Sequence, residues 1–230
     1  RKVAAAEKRQ LVLFGGQLNK AGFVGQLKSM LSEFYQYGIT PDALREMVPD
    51  AKSPLLKQKL EDLALVEQRF QEYIEGHYIT TEQVLDVLCR LIPRSKLIRS
   101  SVIALDGYTG FTPVQYRLAE LFLVYAKQVY VTVTADEKAG IYGKMGIQNL
   151  FYMSRQMAVR LSEIAEKNQV KKLPDIMLTD QKNRRFAKSP EIAWMESHLF
   201  RYGMETSYSG DDSGSMEFFQ AVNPAGEVSY

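Results

Sequence analysis

The sequence predicts a helix-rich α/β chain: an all-helical lobe over residues 1–100, part of a parallel-sheet domain over 101–222, and the start of a further helix over 223–230. Three observations predict it. Apolar residues recur at helical spacing through the first hundred positions. Near residue 100 that spacing gives way to Ser101-Val102-Ile103-Ala104-Leu105, a short and nearly continuous apolar run of the kind buried parallel strands carry. A helix-patterned segment then separates this run from a second one, β-branched and aromatic, at Val129–Thr134.

Phe23, Leu27, Met30, Leu31 and Phe34 form the first apolar stripe. Leu56, Leu60, Leu63, Phe70 and Ile74 form the second, on a long helix, and Val84, Leu85, Val87, Leu88 and Leu91 the third. Thr40-Pro41 and Ser53-Pro54 each join a side-chain cap to a proline suited to the first helical position. Thr80 stands three residues before Gln83, the capping-box spacing. Gly38, Pro49 and Pro93 end segments. After the strand at 101–105, Asp106-Gly107 marks a turn, and Thr112-Pro113 opens a helix to about Lys127. The strand–helix–strand order implies a parallel pair with a right-handed crossover. A loop with Gly140, Gly143 and Gly146 leads to a helix from about Ile147 to Lys167, with Leu150, Met153, Met157, Leu161 and Ile164 on one face. Ser189-Pro190 caps a helix carrying Trp194 and Phe200. Ser207–Ser215 reads as a mobile loop and Met216–Val222 as a third strand, parallel to the other two. Asn223-Pro224 opens the last helix.

Composition removes several classes. Apolar residues at 46% and charged residues at 24% are ordinary for a globular chain, which excludes disordered, collagen-like and disulfide-stapled ones. A net charge of +2 excludes a histone-like or acidic-tail protein and leaves room for local basic patches. The single cysteine, Cys89, forms no internal disulfide, multi-cysteine zinc site or iron–sulfur cluster, and it fits a reducing, cytoplasmic compartment. No apolar run reaches the roughly 18 residues of a membrane span, and Arg1–Gln10 lacks the apolar stretch of a signal peptide. The absence of an initial Met and the helix start at the end point to a piece of a longer protein.

Conventional catalytic motifs leave little trace. His77 and His198 fall in no metal-ligand spacing, and Cys89, among Val87, Leu88 and Leu91, reads as a buried structural thiol. The chain has no Gly-x-Ser-x-Gly elbow, His-Glu-x-x-His pair or Gly-x-x-x-x-Gly-Lys-Ser/Thr loop. Two readings stay open at Asp106. An acidic residue ending an apolar strand is where nucleotide-hydrolysing P-loop folds hold Mg²⁺, at the strand edge that faces the ligand crevice. The hydrolytic version carries a second acidic residue directly after it, and here that place is Gly107. Alternatively Asp106 caps a turn and Gly107 supplies positive φ.

Two basic runs suit phosphates. Arg90, Arg94, Lys96 and Arg99 have no acidic residue among them between Asp86 and Asp106. Lys182, Arg184, Arg185, Phe186 and Lys188 mix cations with a ring, as single-strand binding surfaces do. Tyr108 and Phe111 are candidate stacking platforms, with Phe111 as a core residue the opposing reading. The expected DNA path runs through Asp106, Gly107, Tyr108, Thr109, Phe111 and Thr112, with Arg184, Arg185 and Lys188 on or near it, and with Arg94, Lys96 and Arg99 as further phosphate contacts. The expected binding is weak, salt-sensitive and to single strands.

Leu105-Asp106-Gly107-Tyr108-Thr109-Gly110-Phe111-Thr112-Pro113 resembles a hallmark of the B subunits of bacterial AddAB (RexAB) helicase–nucleases. Phe34-x-x-Tyr37-Gly38-Ile39-Thr40-Pro41, Lys59-Leu60-x-Asp62-Leu63-Ala64-Leu65, Tyr78-Ile79, Arg185-Phe186, Pro190-Glu191 and Ala221-x-Asn223-Pro224-x-x-Glu227-Val228 also fit, in the family's order and over most of the chain. The resemblance implies a superfamily 1 helicase-like fold. Residues 1–100 would then be the helical insertion of the first helicase-like domain, and 101–222 the remainder of that P-loop domain without its P-loop. It places the P-loop strand upstream of Arg1, and a nuclease with cluster-binding cysteines downstream of Tyr230.

By the same resemblance the chain comes from a degenerate helicase. It helps hold single-stranded DNA and recognise a Chi sequence, while the A subunit drives unwinding of duplex DNA. ATP, Mg²⁺ and an iron–sulfur cluster belong to the parent complex, outside this stretch. One departure bears on turnover. Active helicases end the next strand in Gly-Asp and a γ-phosphate-sensing Gln, where this chain has Ala135-Asp136-Glu137 and no Gln before Tyr142. The function expected is thus a non-catalytic DNA-handling segment in double-strand break repair and recombination, which neither hydrolyses ATP nor cuts DNA. The alternatives are a freestanding helical adaptor for protein partners and a small nucleotide-using enzyme built on Asp106.

Overall fold

The computed structural model describes residues 2–20, 22–81, 83–136, 140–143, 146–178, 184–200 and 207–229. Contacts divide the chain into two compact units, residues 1–172 and 173–230. In the first, α1 (Lys2–Ala6), α2 (Phe23–Tyr37), α3 (Pro41–Glu46), α4 (Pro54–Ile74) and α5 (Val84–Leu91) are followed by a 3-10 turn at Ile92–Arg94 and by α6 (Lys96–Ser100). Then come β1 (Val102–Leu105), α7 (Pro113–Tyr125), β2 (Gln128–Val131) and α8 (Tyr152–Lys167). The second holds a 3-10 turn at Arg184–Phe186, α9 (Pro190–His198) and α10 (Pro224–Val228).

The start signals work as hydrogen-bond chemistry requires. Thr40 Oγ1 accepts from Ala43 N at 3.2 Å and Ser53 Oγ from Leu56 N at 3.1 Å, each satisfying a donor the first helical turn leaves over. Thr80 and Gln83 exchange backbone-to-side-chain bonds of 3.1 and 3.3 Å at the entry to α5. Gly38 closes α2 with φ 70°, and Ile39 N reaches back to Phe34 O at 2.8 Å, the arrangement that satisfies terminal carbonyls.

Two apolar clusters hold the first unit. Leu11, Phe14, Leu18, Leu27, Phe34, Leu44, Leu63 and Val66 are among the buried residues of one. Tyr116, Ala119, Met157 and Leu161 form the other, between α7 and α8, with Phe111, Val131 and Val133 packed against it. Asp62 sits inside the first cluster, 3% exposed, where it accepts from the backbone N–H groups of Val12, Leu13 and Phe14 at 2.8–3.0 Å. A buried carboxylate held by three donors is satisfied, and it pins the segment before α2 onto α4. Asp86 ties three helices together: Tyr35 from α2 donates to one oxygen, and Arg117 from α7 donates to the other at 2.5 Å.

β1 and β2 pair in parallel, Val102 opposite Gln128 and Leu105 opposite Val131. The strand–helix–strand unit therefore forms as its pattern predicts. Its burial is one-sided, however. Ile103 and Leu105 are half-buried, whereas Val102 and Ala104 are exposed, as is Tyr130 on the neighbouring strand. β2 ends at Val131, although Thr132 N still donates to Leu105 O at 3.0 Å.

The helix expected from about Ile147 begins at Tyr152 instead. Asn149 folds back on Gly146 O at 3.0 Å, and Ile147 and Leu150 stay exposed. The expected third strand does not form. Residues 216–222 are irregular, and Phe218 and Val222 are fully open to solvent. A β-patterned segment becomes a strand only where a neighbour completes its ladder, and among the described residues the sheet has two strands. Among the described residues, no helix is long and apolar enough to cross a membrane.

The second unit is organised by Glu191 in the first turn of α9. Its Oε1 accepts from Ser213 Oγ at 2.6 Å and from Ser215 N at 2.9 Å, so the Gly/Ser/Asp segment is tied to the helix. Those hydrogen bonds hold the Glu191 carboxyl below the usual carboxylate range, that from Ser213 foremost. Ser189 makes no cap bond. Its hydroxyl accepts from Ser215 Oγ at 2.8 Å. Trp194 stacks on His198 with ring centres 4.4 Å apart. Phe200 lies beyond α9, with φ 61°.

Candidate functional site

The strongest candidate is the loop leaving β1. Because β1 and β2 run parallel in register, Thr132 follows β2 where Asp106 follows β1. Its hydroxyl donates to Asp106 Oδ1 and accepts from Gly107 N at 3.3 Å. One threonine thus locks the turn from across the sheet. Gly107 has φ 77°, in the left-handed region that side chains resist, and its Cβ position faces open space. The constraint at 107 is one of backbone conformation rather than room.

Beyond the turn the loop is built on rings. Tyr108 is 42% exposed and lies 5.0 Å from Phe111, measured between ring centres. Phe111 meets Tyr116 edge-on at 5.5 Å, and the Arg160 guanidinium covers the face of Tyr116 at 4.1 Å. Tyr116 is buried, and that burial pushes its phenol up from the ordinary value. Phe111 is therefore a packing residue beneath Tyr108, and the ring open to solvent is Tyr108. Thr109 is exposed. Thr112 spends its polar atoms on a full capping box with Gln115, at 2.8 and 3.4 Å, which starts α7. Met153 at the start of α8 lies where a Cβ at Gly110 would meet it at van der Waals distance.

The basic residues divide. Arg94, Lys96 and Arg99 are exposed and precede β1, so they lie at the edge where the strands begin, opposite the Asp106 loop. Arg99 donates to Pro93 O at 2.8 Å and covers the Tyr125 ring at 5.2 Å. Arg184, Arg185 and Lys188 belong to the second unit. Arg184 opens its 3-10 turn, Arg185 and Lys188 are exposed, and the Arg185 guanidinium lies 5.2 Å from the Phe186 ring centre. Lys182 lies outside the described residues. Cys89 is half-buried, and burial pushes its thiol up, away from the reactive thiolate.

Sequence reasoning missed Thr132, Arg160 and Asp62. The Val-Thr-Val-Thr alternation at 131–134 carried a signal for Thr132, since a parallel register sets it beside the turn. Asp62 stood only as one residue of a family motif, with no sign of its buried role, and Arg160 carried no signal, being an ordinary polar position on a helix.

Among the described residues, no group of three His, Cys, Asp or Glu gathers as metal ligands.

These elements define a helix-rich α/β unit with a parallel strand pair, whose strand-end loop is locked by Asp106, Gly107 and Thr132. The family described as "ADDB, N-terminal" matches residues 1–196, and the chain belongs to it. Similar proteins include the ATP-dependent helicase/deoxyribonuclease B subunit of Lachnoclostridium phytofermentans, 38% identical over 88% of this chain and 18% of that protein. The proteins of the same name from Desulforudis audaxviator and Geobacillus thermodenitrificans are each 33% identical over 87% of this chain, and 17% and 18% of their own lengths. The chain thus spans about a fifth of the curated relatives it matches.

Proposed function

We propose that this chain is a DNA-handling, non-catalytic segment of the B subunit of an ATP-dependent helicase–nuclease that acts in double-strand break repair and homologous recombination. The observation that carries the reading is membership of the ADDB family together with a strand-end loop unsuited to hydrolysis. The position where a water-activating acid would stand is Gly107 at φ 77°, and Asp106 is engaged by Thr132. The loop offers a stacking ring instead: Tyr108, exposed and backed by Phe111 and Tyr116. In this reading Tyr108 receives a base of single-stranded DNA. The second unit by itself offers the exposed Arg185 and Lys188 to phosphates. In this reading residues 1–100 are the helical insertion of the first helicase-like domain, and 101–222 are part of the remainder of that domain, without its P-loop. The rest of the assembly supplies ATP and Mg²⁺, an iron–sulfur cluster and the partnering A subunit.

The test is single-strand affinity of the full assembly carrying Tyr108→Ala. A base stack is worth about 1–3 kcal/mol, so the affinity falls by about 5- to 150-fold. ATP turnover of the assembly carrying Asp106→Ala stays at the wild-type rate. An unchanged single-strand affinity for Tyr108→Ala removes the loop from the DNA path. Lost turnover on Asp106→Ala returns the loop to catalysis.

A further inference from the structure

α8 begins without a side-chain cap. Tyr152 N donates to Asn149 O and Arg155 N to Phe151 O, each at 3.1 Å. Between them, the N–H groups of Met153 and Ser154 have no acceptor among the described residues. A first turn with unmet donors carries the positive end of the helix dipole and draws anions. This one holds no acidic residue. A Cβ at Gly110 would meet Met153 Cε at 3.8 Å, so the turn stands beside the loop that carries Tyr108.

Two buried side chains add to the open turn. Ser154 is 4% exposed, and its hydroxyl makes no hydrogen bond among the described residues. It shares a helix face with Met157 and Leu161, which are buried between α7 and α8. Helical side chains lean toward the N-terminus, so the hydroxyl is aimed into the open turn from the α7 side. A buried hydroxyl ordinarily finds a partner, and the carbonyl of residue 150, which a helical serine can take, is not used. Arg155 is 3% exposed. Its Nε donates to Ile141 O at 3.0 Å and its Nη2 to Gly143 O at 2.8 Å. Both acceptors are neutral, and among the described residues no carboxylate pairs with the guanidinium. A buried cation without a counter-charge leaves positive potential beneath the turn.

We propose that the first turn of α8 is a phosphate-binding site. The N–H groups of Met153 and Ser154 and the Ser154 hydroxyl donate to the phosphate oxygens, over the charge of Arg155. The phosphate has one of two sources. It is a phosphodiester of the strand whose base lies on Tyr108, which rests on the DNA-handling reading above, or it is free phosphate.

The experiment compares the full-length protein, assembled with its partner, as wild type, Ser154→Ala, Met153→Glu and Met153→Gln. Met153 is 66% exposed, so its variants leave the core intact. An acid in the first turn suits the helix dipole, so Met153→Glu keeps or raises the melting temperature while its carboxylate occupies the donors and repels phosphate. The probes are an oligothymidine strand and inorganic phosphate, the latter by equilibrium dialysis. With the strand as source, oligothymidine affinity falls about 10- to 100-fold in Ser154→Ala and in Met153→Glu, as loss of hydrogen bonds to a charged group requires, and is unchanged in Met153→Gln. With free phosphate as source, the wild type retains inorganic phosphate, the same two variants lose it, and strand affinity does not move. Neither probe responding to either variant overturns the proposal, as does a loss in Met153→Gln equal to that in Met153→Glu. A strand affinity weakened by Tyr108→Ala, with neither probe responding to Met153→Glu, keeps the DNA-handling reading and rejects this site. The reverse pattern keeps the site and removes the ring from the strand's path.

Discussion

At Gly107 and Asp62 single residues set backbone that no neighbour can replace. A Cβ at Gly107 would meet nothing within 4 Å, so a side chain there costs backbone strain alone, about 1–2 kcal/mol. Gly107→Glu, which restores the acid of a hydrolytic site, is expected to lower the unfolding free energy by that amount and to add no ATP turnover, measured by urea denaturation and a phosphate-release assay. Asp62→Ala strips an acceptor from three backbone donors, one of which is buried. The expected loss is about 3 kcal/mol or more, since an orphaned buried donor costs about 1–3 kcal/mol. Urea denaturation within about 0.5 kcal/mol of wild type, the usual scatter of neutral surface changes, would remove Asp62 as the anchor of the segment before α2. Glu67 behaves oppositely. It is 2% exposed, and burial raises its carboxyl above the ordinary value of 4.5, with the Gln71 hydrogen bond opposing. The folded chain then holds this proton more tightly than the unfolded one. The stabilisation is complete below 4.5 and is lost as pH rises through the raised value. Glu67→Gln is expected to remove that loss, giving a flatter stability profile on the alkaline side of 4.5 than wild type, read by thermal melts across pH.

Among the elements, α7 shows how local signals and packing divide the work. Its start is written in four residues, Thr112-Pro113-Val114-Gln115, and the capping box forms. Thr112→Ala is expected to cost about 1 kcal/mol, seen as a lower melting temperature with the parallel pairing intact. Where an element is specified by its own residues, the sequence is legible: the caps at Thr40, Ser53 and Asn223, the α2 stop at Gly38, and the parallel pair itself. Where an element needs a partner, it is not. The 216–222 segment has strand chemistry and no ladder, α8 starts five residues late for want of a cap, and the Ser189 hydroxyl serves Ser215 rather than α9. The candidate site divides the same way. Asp106 and Gly107 were legible as a strand-end turn, and Tyr108 and Phe111 as rings. Which ring faces solvent was set by Tyr116, on the following helix, and by Arg160, distant in sequence. That Arg94, Lys96 and Arg99 face away from the Asp106 loop followed only from the strand direction.

Taken whole, the first unit holds a sheet with one side dressed by α7 and α8 and the other side bare. Val102 is 54% exposed and Tyr130 47%, on strands whose parallel pairing normally lies covered on both faces. Burying those side chains would contribute about 25 cal/mol per Å² of apolar surface removed from water, so the bare face is a standing cost to the isolated chain. The relatives are about five times as long, and a helicase-like domain would lay further strands and helices on this sheet. The expected outcome is slower amide hydrogen exchange at Val102–Leu105 and Gln128–Val131 in the full-length protein than in residues 1–230 alone. Val102→Thr with Tyr130→Thr should then reduce self-association of the short chain in sedimentation while destabilising the full-length one by about 1–3 kcal/mol. Equal exchange rates in the two, with no effect of the paired substitution on the longer protein, would mean that this face stays open to water there too, and that the sheet is complete with two strands.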